Sequence, residues 1–298
     1  MLTGVHFLLT YMCNMECEHC FVYSGPNAKG TFTLNQIKKV LDELDKIGTI
    51  EWVYFEGGEP FMFYPLMVEG ILQAKNRGYK IGVVTNAYWV TSEEDALLWL
   101  KPLYEIRISD LSISDDEFHY ENEKENPAKI AQAAAIKLGL PVDSICIEKP
   151  MVDTEITRSK GEPVINGGAL LKGRAAEKLT EKLPKRNFNE FTECPEEDLR
   201  DPKRVHVDPY GYVHLCQGLV MGNMWERPLS ELVREYDGKA HPICGPLLSG
   251  GPAYLAKKYD VKHDEEYASA CHFCYEVRKA ILDKFPKYLA PRQVYGLE

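Results

Sequence analysis

The sequence contains no apolar run long enough to cross a membrane, and no excess of positive charge of the kind that binds nucleic acid. None of its apolar stretches approaches the ~18 residues that a transmembrane helix needs. Residues 1–12 also lack the charged leader and the small-residue cleavage site of a secretion signal. The chain carries 45 acidic and 35 basic residues, a formal net charge of -10, whereas phosphate binding requires a basic face. We therefore expect a cytoplasmic protein that binds neither a membrane nor a nucleic acid.

Internal repeats and low-complexity tracts are also absent, and the rest of the composition is typical of a globular chain. Of the 298 residues, 45% are hydrophobic and 27% are charged, which is enough to form a sizeable core. Nine cysteines are present, and without an export signal we expect them to be reduced. Clustered cysteines in a reducing compartment bind metal or perform chemistry more often than they form disulfides.

Short apolar runs alternate with helical patterns through the first half of the chain. Strands are predicted over 2–10, 51–56, 80–85, 105–113 and 144–148, and helices over 33–46, 65–77, 91–100 and 127–138. Strands separated by helices of this length require parallel crossovers, so the predicted fold class is α/β. A doubly wound sheet and a partial barrel both fit this pattern. In either fold, functional side chains are expected in the loops that follow the strands.

The pattern changes after about residue 180. Residues 205–216 indicate a β-hairpin with a turn at Asp-Pro-Tyr-Gly, and loops rich in proline and glycine follow it. A last helix is predicted near 275–285. We therefore predict two domains, 1–180 and 181–298.

Three cysteines follow the first predicted strand. Cys13, Cys17 and Cys20 have the spacing C-x3-C-x2-C, and three thiolates this close can bind three corners of a cubane iron–sulfur cluster. The fourth iron would then be open to an exogenous molecule that coordinates and reacts there. The alternative is a zinc knuckle with His19 as its fourth ligand, although the spacing differs from the paired C-x2-C of zinc modules.

With the motifs that follow it, this spacing resembles the radical S-adenosylmethionine (SAM) superfamily, whose signature is C-x3-C-x2-C followed by an aromatic residue, here Phe21. The run Gly57-Gly58-Glu59-Pro60 is similar to the GGEP motif of that family, and Thr85-Asn86-Ala87 is similar to its Thr-Asn-Gly. Two glycines let backbone carbonyls approach a bound ammonium group where any Cβ would clash.

The resemblance implies a partial (β/α)6 barrel and a set of cofactor contacts. Cys13, Cys17 and Cys20 are expected to hold a [4Fe-4S] cluster that binds SAM. The expected SAM contacts are Phe21, Gly57, Gly58, Glu59, Asn86, Ser114 and Arg174. Ser112 is an alternative to Ser114, and His119 is expected at the surface. No catalytic residue is assigned.

A second cysteine set, Cys194, Cys216, Cys271 and Cys274, lies in the second predicted domain. It resembles the appended SPASM domain or its shorter form, twitch, and implies a small hairpin-plus-helix domain that holds one auxiliary [4Fe-4S] cluster. Cys244 is an alternative ligand to Cys194, and zinc is an alternative metal for the set. Cys146 is expected to be a buried residue within a strand.

The resemblance implies an enzyme that reductively cleaves SAM to a 5′-deoxyadenosyl radical, which takes a hydrogen atom from a substrate. Four cysteine ligands would leave no open iron on the auxiliary cluster, which favours an electron-acceptor role and a net oxidation. The expected substrate is a peptide or protein side chain, and the expected reductant is of the flavodoxin or ferredoxin type.

Two alternatives to this function remain open. The first predicted strand begins almost at Met1, so no separate module for a leader peptide is expected. A small molecule, such as an amino-sugar or cofactor precursor, is therefore the alternative substrate for a dehydrogenase or cyclase. The other alternative is a non-enzymatic iron–sulfur electron carrier or zinc module.

Overall fold

A computed structural model describes residues 1–120, 126–153 and 164–297. The strands, in chain order, are β1 (Gly4–Thr10), β2 (Trp52–Gly57), β3 (Lys80–Thr85), β4 (Asp110–Ser114), β5 (Val142–Ile145), β6 (Met151–Asp153), β7 (Val164–Asn166), β8 (Arg186–Asn187), β9 (Arg204–Val207), β10 (Tyr212–Cys216), β11 (Leu219–Asn223) and β12 (Glu266–Tyr267). An eight-stranded sheet has the order β11-β10-β9-β1-β2-β3-β4-β5. Strands β1 to β5 are parallel to one another. Their carboxyl ends therefore meet at one edge.

The helices are α1 (Leu34–Ile47), α2 (Tyr64–Lys75), α3 (Glu93–Ile106), α4 (Pro127–Leu138), α5 (Arg174–Lys178), α6 (Leu229–Glu235), α7 (Cys244–Tyr259) and α8 (Ala270–Ala280). Helix α7 is broken at Gly250 and Gly251, whose backbone is not helical. In the described part of the chain, no helix is both long enough and apolar enough to cross a membrane.

The predicted α/β fold class is confirmed, because helices alternate with the parallel strands β1 to β5. Successive side chains of β1 point to opposite faces of the sheet. Val5, Phe7 and Leu9 belong to the buried cluster that also contains the apolar face of α1, whereas Leu8 packs in a second buried cluster with Tyr11. Leu8, on the second face, lines the cavity that is described below.

The start and end of α1 are set by local capping interactions. The Thr33 side chain accepts a hydrogen bond from the Gln36 N–H, and the Gln36 side chain accepts one from the Thr33 N–H, which completes a capping box. Gly48 ends the helix with a φ of 72°, a left-handed conformation that costs glycine little. The start of α1 can be recognised in the sequence because Thr33 and Gln36 lie within one helical turn of each other.

Three predicted boundaries were wrong. Helix α3 begins after Ser92 and continues through Pro102 to Ile106, so the fourth strand starts at Asp110 instead of at residue 105. Its end is set by Arg107, which adopts a φ of 60°. The fifth strand spans Val142–Ile145 instead of 144–148, and the last helix spans Ala270–Ala280 instead of 275–285.

The predicted C-terminal hairpin is part of the main sheet. Strand β9 pairs parallel with β1, with Val5 opposite Val205 and Phe7 opposite Val207, and β10 pairs antiparallel with β9. The two predicted domains therefore share one continuous sheet.

A buried polar group holds this junction together. Tyr11 donates its hydroxyl hydrogen to Asp208 at 2.8 Å, and His214 Nε2 lies 3.2 Å from the same carboxylate oxygen. His214 Nδ1 accepts from the Gly218 N–H, which assigns the ring proton to Nε2. All three side chains are fully buried. The two donors therefore supply the hydrogen bonds that the Asp208 carboxylate cannot obtain from water.

His241 gives the fold a specific pH dependence. Its Nε2 donates to the Val220 carbonyl, and its Nδ1 accepts from the N–H groups of Ile243 and Cys244. Burial lowers the pKa of His241 from its ordinary 6.5, so below pH 6.5 the unfolded chain gains a proton that the native ring does not. The free energy of unfolding should therefore fall on acidification below pH 6.5, by at most about 1.4 kcal/mol per pH unit from this one ring.

Denaturant titrations between pH 7 and 5.5 measure this slope. The variant His241→Gln should be less stable at pH 7 but should lose this contribution to the slope. An identical slope in both proteins would contradict the assignment.

Candidate active site

The loop after β1 brings the first three cysteines to the carboxyl edge of the sheet. The Cys13 N–H donates to the Gly25 carbonyl at 3.1 Å, and the Ser24 N–H donates to the Cys20 sulfur at 3.3 Å, so the loop folds back on itself. The loops after β2, β3 and β4 reach the same edge because these strands are parallel. Their predicted site residues line one cavity, namely Cys13, Cys17, Cys20, Phe21, Gly57, Gly58, Asn86 and Ser114.

Zinc stays an alternative metal for both cysteine sets. Within the described residues, the groups of three ligand atoms that all lie within 4.8 Å of one another are built from histidine and carboxylate.

Burial keeps the thiols of Cys13 and Cys17 protonated in the absence of metal. It raises the pKa of Cys13 and of Cys17 to about 12, and the neighbouring cysteines add to the effect. Thiolates are the ligands of iron–sulfur clusters, so cluster binding must release these protons. Burial disfavours free thiolates at these positions. The cysteine sulfurs therefore fit a site in which the thiolates bind a cationic cluster core.

The glycine pair is required by packing between two loops. A Cβ on Gly57 would lie 2.4 Å from the Thr10 carbonyl oxygen, and one on Gly58 would lie 2.0 Å from that of Met12. Gly57 also has a φ of 137°. The Gly58 N–H donates to the Thr10 carbonyl at 2.6 Å. The glycines thus allow the loop after β2 to lie directly against the start of the cysteine loop.

The variant Gly58→Ala tests this packing. The added methyl group must displace backbone, so we expect a loss of about 1–3 kcal/mol in the free energy of unfolding and weaker retention of iron by the cysteine loop. Gly4→Ala in β1 is a matched control, because its Cβ would meet its nearest atom at 3.6 Å. Equal stability and iron content in the two variants would contradict this explanation.

Glu59 links the loops after β2 and β3 by hydrogen bonds. Its carboxylate accepts hydrogen bonds from the N–H groups of Phe61 at 3.0 Å and Asn86 at 2.7 Å, and from the Thr85 hydroxyl at 2.8 Å. Burial raises its pKa to about 7, and these donors counteract the shift. Glu59 does not line the cavity, so its predicted contact with a bound amine stays a prediction.

Asn86 and Ser114 line the cavity beside the cysteine loop. The Asn86 amide donates to the Cys13 sulfur at 3.6 Å and to the Asn14 side chain at 3.0 Å, which links the loop after β3 to the cysteine loop. Ser114 lines the cavity, whereas the Ser112 hydroxyl donates to Asp110 instead. The structure therefore favours Ser114 over Ser112.

Arg174 contacts the cysteine loop and does not line the cavity. Its guanidinium donates to the carbonyls of Cys17 at 2.8 Å and Ser24 at 2.7 Å, and it stacks on the ring of Tyr23. Both terminal nitrogens are thus engaged by backbone. These contacts hold the loop closed, and the expected contact with a SAM carboxylate stays a prediction.

A buried carboxylate and two histidines adjoin the thiols. Asp116 accepts from His119 Nδ1 at 2.8 Å and from the Ile147 N–H at 3.3 Å, and the His19 ring stacks on Phe118. The prediction that His119 lies at the surface was wrong, because its side chain is only 12% exposed and lines the cavity. Burial lowers the pKa of His19 to about 4, so its ring is neutral.

The inner end of the cavity is polar. Glu56 lines it, and its carboxylate lies 3.2 Å from His6 Nδ1 and 3.0 Å from His206 Nε2. These side chains come from the neighbouring strands β1, β2 and β9. Sequence reasoning assigned them no role, although their alternation with buried apolar residues places them on the face that lines the cavity.

The second cysteine set surrounds a separate cavity. Cys194, Cys216, Cys271 and Cys274 all line it, together with Lys172 and Arg278. Burial raises the pKa of Cys274 to about 11 and also raises that of Cys194. The four predicted cysteines are therefore brought together from β10, α8 and the loop before β9.

The two remaining cysteines lie outside both cavities. Cys244 is fully buried and does not line the second cavity, which favours Cys194 as the fourth member. Cys146 is exposed, so its predicted burial was wrong. It lies just beyond β5 and alternates with Ile145 and Ile147, which line the first cavity.

Comparisons with known proteins agree with this geometry. The family model described as the radical SAM superfamily matches residues 7–147. The putative peptide biosynthesis protein YydG of Bacillus subtilis is 21% identical over 83% of this chain and 71% of its own length. The subtilosin biosynthesis protein AlbA of Bacillus subtilis is 35% identical over 31% of this chain, and the match covers 20% of AlbA.

Solved structures share the fold. BtrN, in complex with AdoMet and 2-DOIA, superimposes with a TM-score of 0.53 and 15% identity over 79% of this chain and 83% of BtrN. The matched sequence region contains the C-x3-C-x2-C loop and the three loops that complete its cavity. Residues 7–147 are therefore similar to the radical SAM superfamily, whose members are SAM-dependent enzymes that use a [4Fe-4S] cluster.

Proposed function

We propose that the protein is a radical SAM oxidoreductase that oxidises a peptide or protein side chain. In this proposal Cys13, Cys17 and Cys20 hold the SAM-binding cluster. The observation that carries it is the single cavity that joins these thiols to the glycine pair, Asn86 and Ser114. A chain that merely carried electrons would have no need for a cavity of this kind beside its thiols.

The residues around the thiols would orient SAM and exclude water. When bound, the reduced cluster supplies the electron that cleaves SAM to methionine and a 5′-deoxyadenosyl radical. The carbonyls near Gly57 and Gly58 would accept hydrogen bonds from the methionine amine. Phe21 and Ser114 would contact the adenosine, and apolar side chains such as Leu8 and Val84 complete the wall.

The second cavity supports an auxiliary [4Fe-4S] cluster in a SPASM- or twitch-type arrangement. Its four thiols line one cavity, and four thiolates would leave no iron open for substrate. We therefore assign it an electron-accepting role, which makes the overall reaction a net oxidation. A flavodoxin- or ferredoxin-type protein would supply the first electron.

The relatives support a peptide substrate. YydG, which aligns with most of this chain, is named as a putative peptide biosynthesis protein, and AlbA as a bacteriocin biosynthesis protein. The alignment with YydG extends over 260 residues, so it reaches beyond the region of the family model. A peptide is therefore the substrate class that the comparisons favour.

Anaerobic turnover with dithionite and SAM tests the proposal. The reconstituted protein should release 5′-deoxyadenosine, and a peptide encoded beside its gene should lose the mass of two hydrogen atoms. The matched control is the Cys17→Ala protein under identical conditions. Release of 5′-deoxyadenosine with every peptide unchanged would favour a small-molecule substrate, whereas no release from a cluster-loaded protein would contradict the enzyme itself.

A further inference from the structure

Two buried cations face the second cysteine set. The Lys172 side chain is 5% exposed, and its ammonium donates to the Cys216 sulfur at 3.5 Å. Arg278 is 1% exposed, and its guanidinium donates to the carbonyls of Gln217 at 2.9 Å and Cys274 at 3.4 Å. A buried charge is costly unless an opposite charge compensates it.

The described protein groups supply only part of that compensation. Arg278 forms no ion pair with a described carboxylate, and the carboxylate nearest to Lys172 is Glu197 at 3.9 Å, which Arg204 shares. Glu193 and Glu196 also border the cavity but are exposed to water. The positive charge is therefore directed at the space between the four thiols. An oxidised [4Fe-4S] core together with its four thiolate ligands would carry a net charge of about -2, which the two cations would balance.

Lys172 also belongs to a segment that reaches the first cysteine set. The Arg174 N–H donates to the Cys20 carbonyl at 2.9 Å, and the Lys172 ammonium lies over the Phe21 ring at 5.7 Å. Gly173, between them, has a φ of 62°, and a Cβ there would lie 2.5 Å from the Phe21 Cα. Glycine thus allows this tripeptide to touch both thiol sets at once.

We propose that Lys172 is a positioning residue that sets the reduction potential of the auxiliary cluster. Its fixed positive charge beside Cys216 stabilises the added electron, and its hydrogen bond to the sulfur acts in the same direction. This inference rests on the proposed auxiliary cluster. It adds that a residue from the segment after β7, outside the four ligands, makes that cluster an effective electron acceptor.

Potentiometric titration with dithionite tests this role without turnover. The full-length chain carrying Cys13→Ala, Cys17→Ala and Cys20→Ala isolates the second site. In that background Lys172→Met should shift the reduction equilibrium about tenfold toward the oxidised form, a potential lower by about 59 mV. Lys172→Arg should retain the original potential, and so should Lys178→Met, which changes an exposed lysine of α5.

The outcomes distinguish the proposed role of Lys172 from the proposed auxiliary cluster itself. An unchanged potential in Lys172→Met would overturn the role of Lys172. If Lys172→Met loses iron but Lys172→Arg retains it, the positive charge at this position is required, which supports the role of Lys172. If both variants lose iron, the role of Lys172 is purely structural. Failure of the parent background to bind iron at the second site would instead overturn the proposed auxiliary cluster.

Discussion

Replacement of Cys17 by alanine is expected to abolish SAM cleavage. The variant loses one of three thiols that line a shared cavity, and no described neighbour offers a fourth thiol in its place. Changes to residues that only contact metal ligands cost 10–100-fold in activity, so loss of a ligand should lower 5′-deoxyadenosine formation by more than about 100-fold. Chromatography of anaerobic single-turnover reactions measures the product directly.

The matched control for Cys17 is Cys146→Ala. Cys146 is exposed and lies outside both cavities, so its loss should leave 5′-deoxyadenosine formation intact. Retention of cleavage by the Cys17 variant would contradict the three-thiol assignment. So would equal loss of cleavage in the two variants.

Replacement of Cys271 by alanine is expected to separate cleavage from product formation. Cys271 lies in the second cavity beside Lys172, and it does not line the cavity that contains the first three thiols. SAM cleavage should therefore continue at close to the original rate. The electron left after hydrogen abstraction would have no acceptor, so oxidised peptide should fall by more than about 100-fold, as for a lost metal ligand.

Parallel measurement of 5′-deoxyadenosine and of modified peptide checks this result. Cys244→Ala is the control, because Cys244 is buried away from the second cavity. It should retain both activities if the protein folds. Equal loss of cleavage in the Cys17 and Cys271 variants would contradict the proposed division of roles.

The first site was predictable because its chemistry is encoded locally. Cys13, Cys17 and Cys20 are spaced within one loop, and the motif at Gly57 follows a strand whose apolar pattern is clear. Parallel pairing then brings the ends of β1 to β4 together. Any sequence that specifies these strands also specifies that their loops share an edge.

The residues that escaped prediction depend on contacts between distant segments. Glu56 faces His206 only because β9 pairs with β1, a pairing that a two-domain interpretation of the sequence does not suggest. Lys172 reaches Cys216 across the fold, and no local pattern marks it. Arg174 was recognised as functional, but its partners are loop carbonyls that only the folded chain reveals.

Boundary errors had a similar cause. Residue 105 was assigned to a strand because its segment is apolar and alternating, yet α3 continues through Pro102 to Ile106. Tertiary packing of Leu100 and Leu103, both fully buried, outweighs the cost of a proline within the helix.

Iron and acid-labile sulfide per chain, measured after anaerobic reconstitution, test the central claim most directly. Two four-iron clusters predict about eight of each, and the Cys13→Ala, Cys17→Ala, Cys20→Ala protein should retain about four of each. Protein that binds zinc and no iron under these conditions would contradict the account.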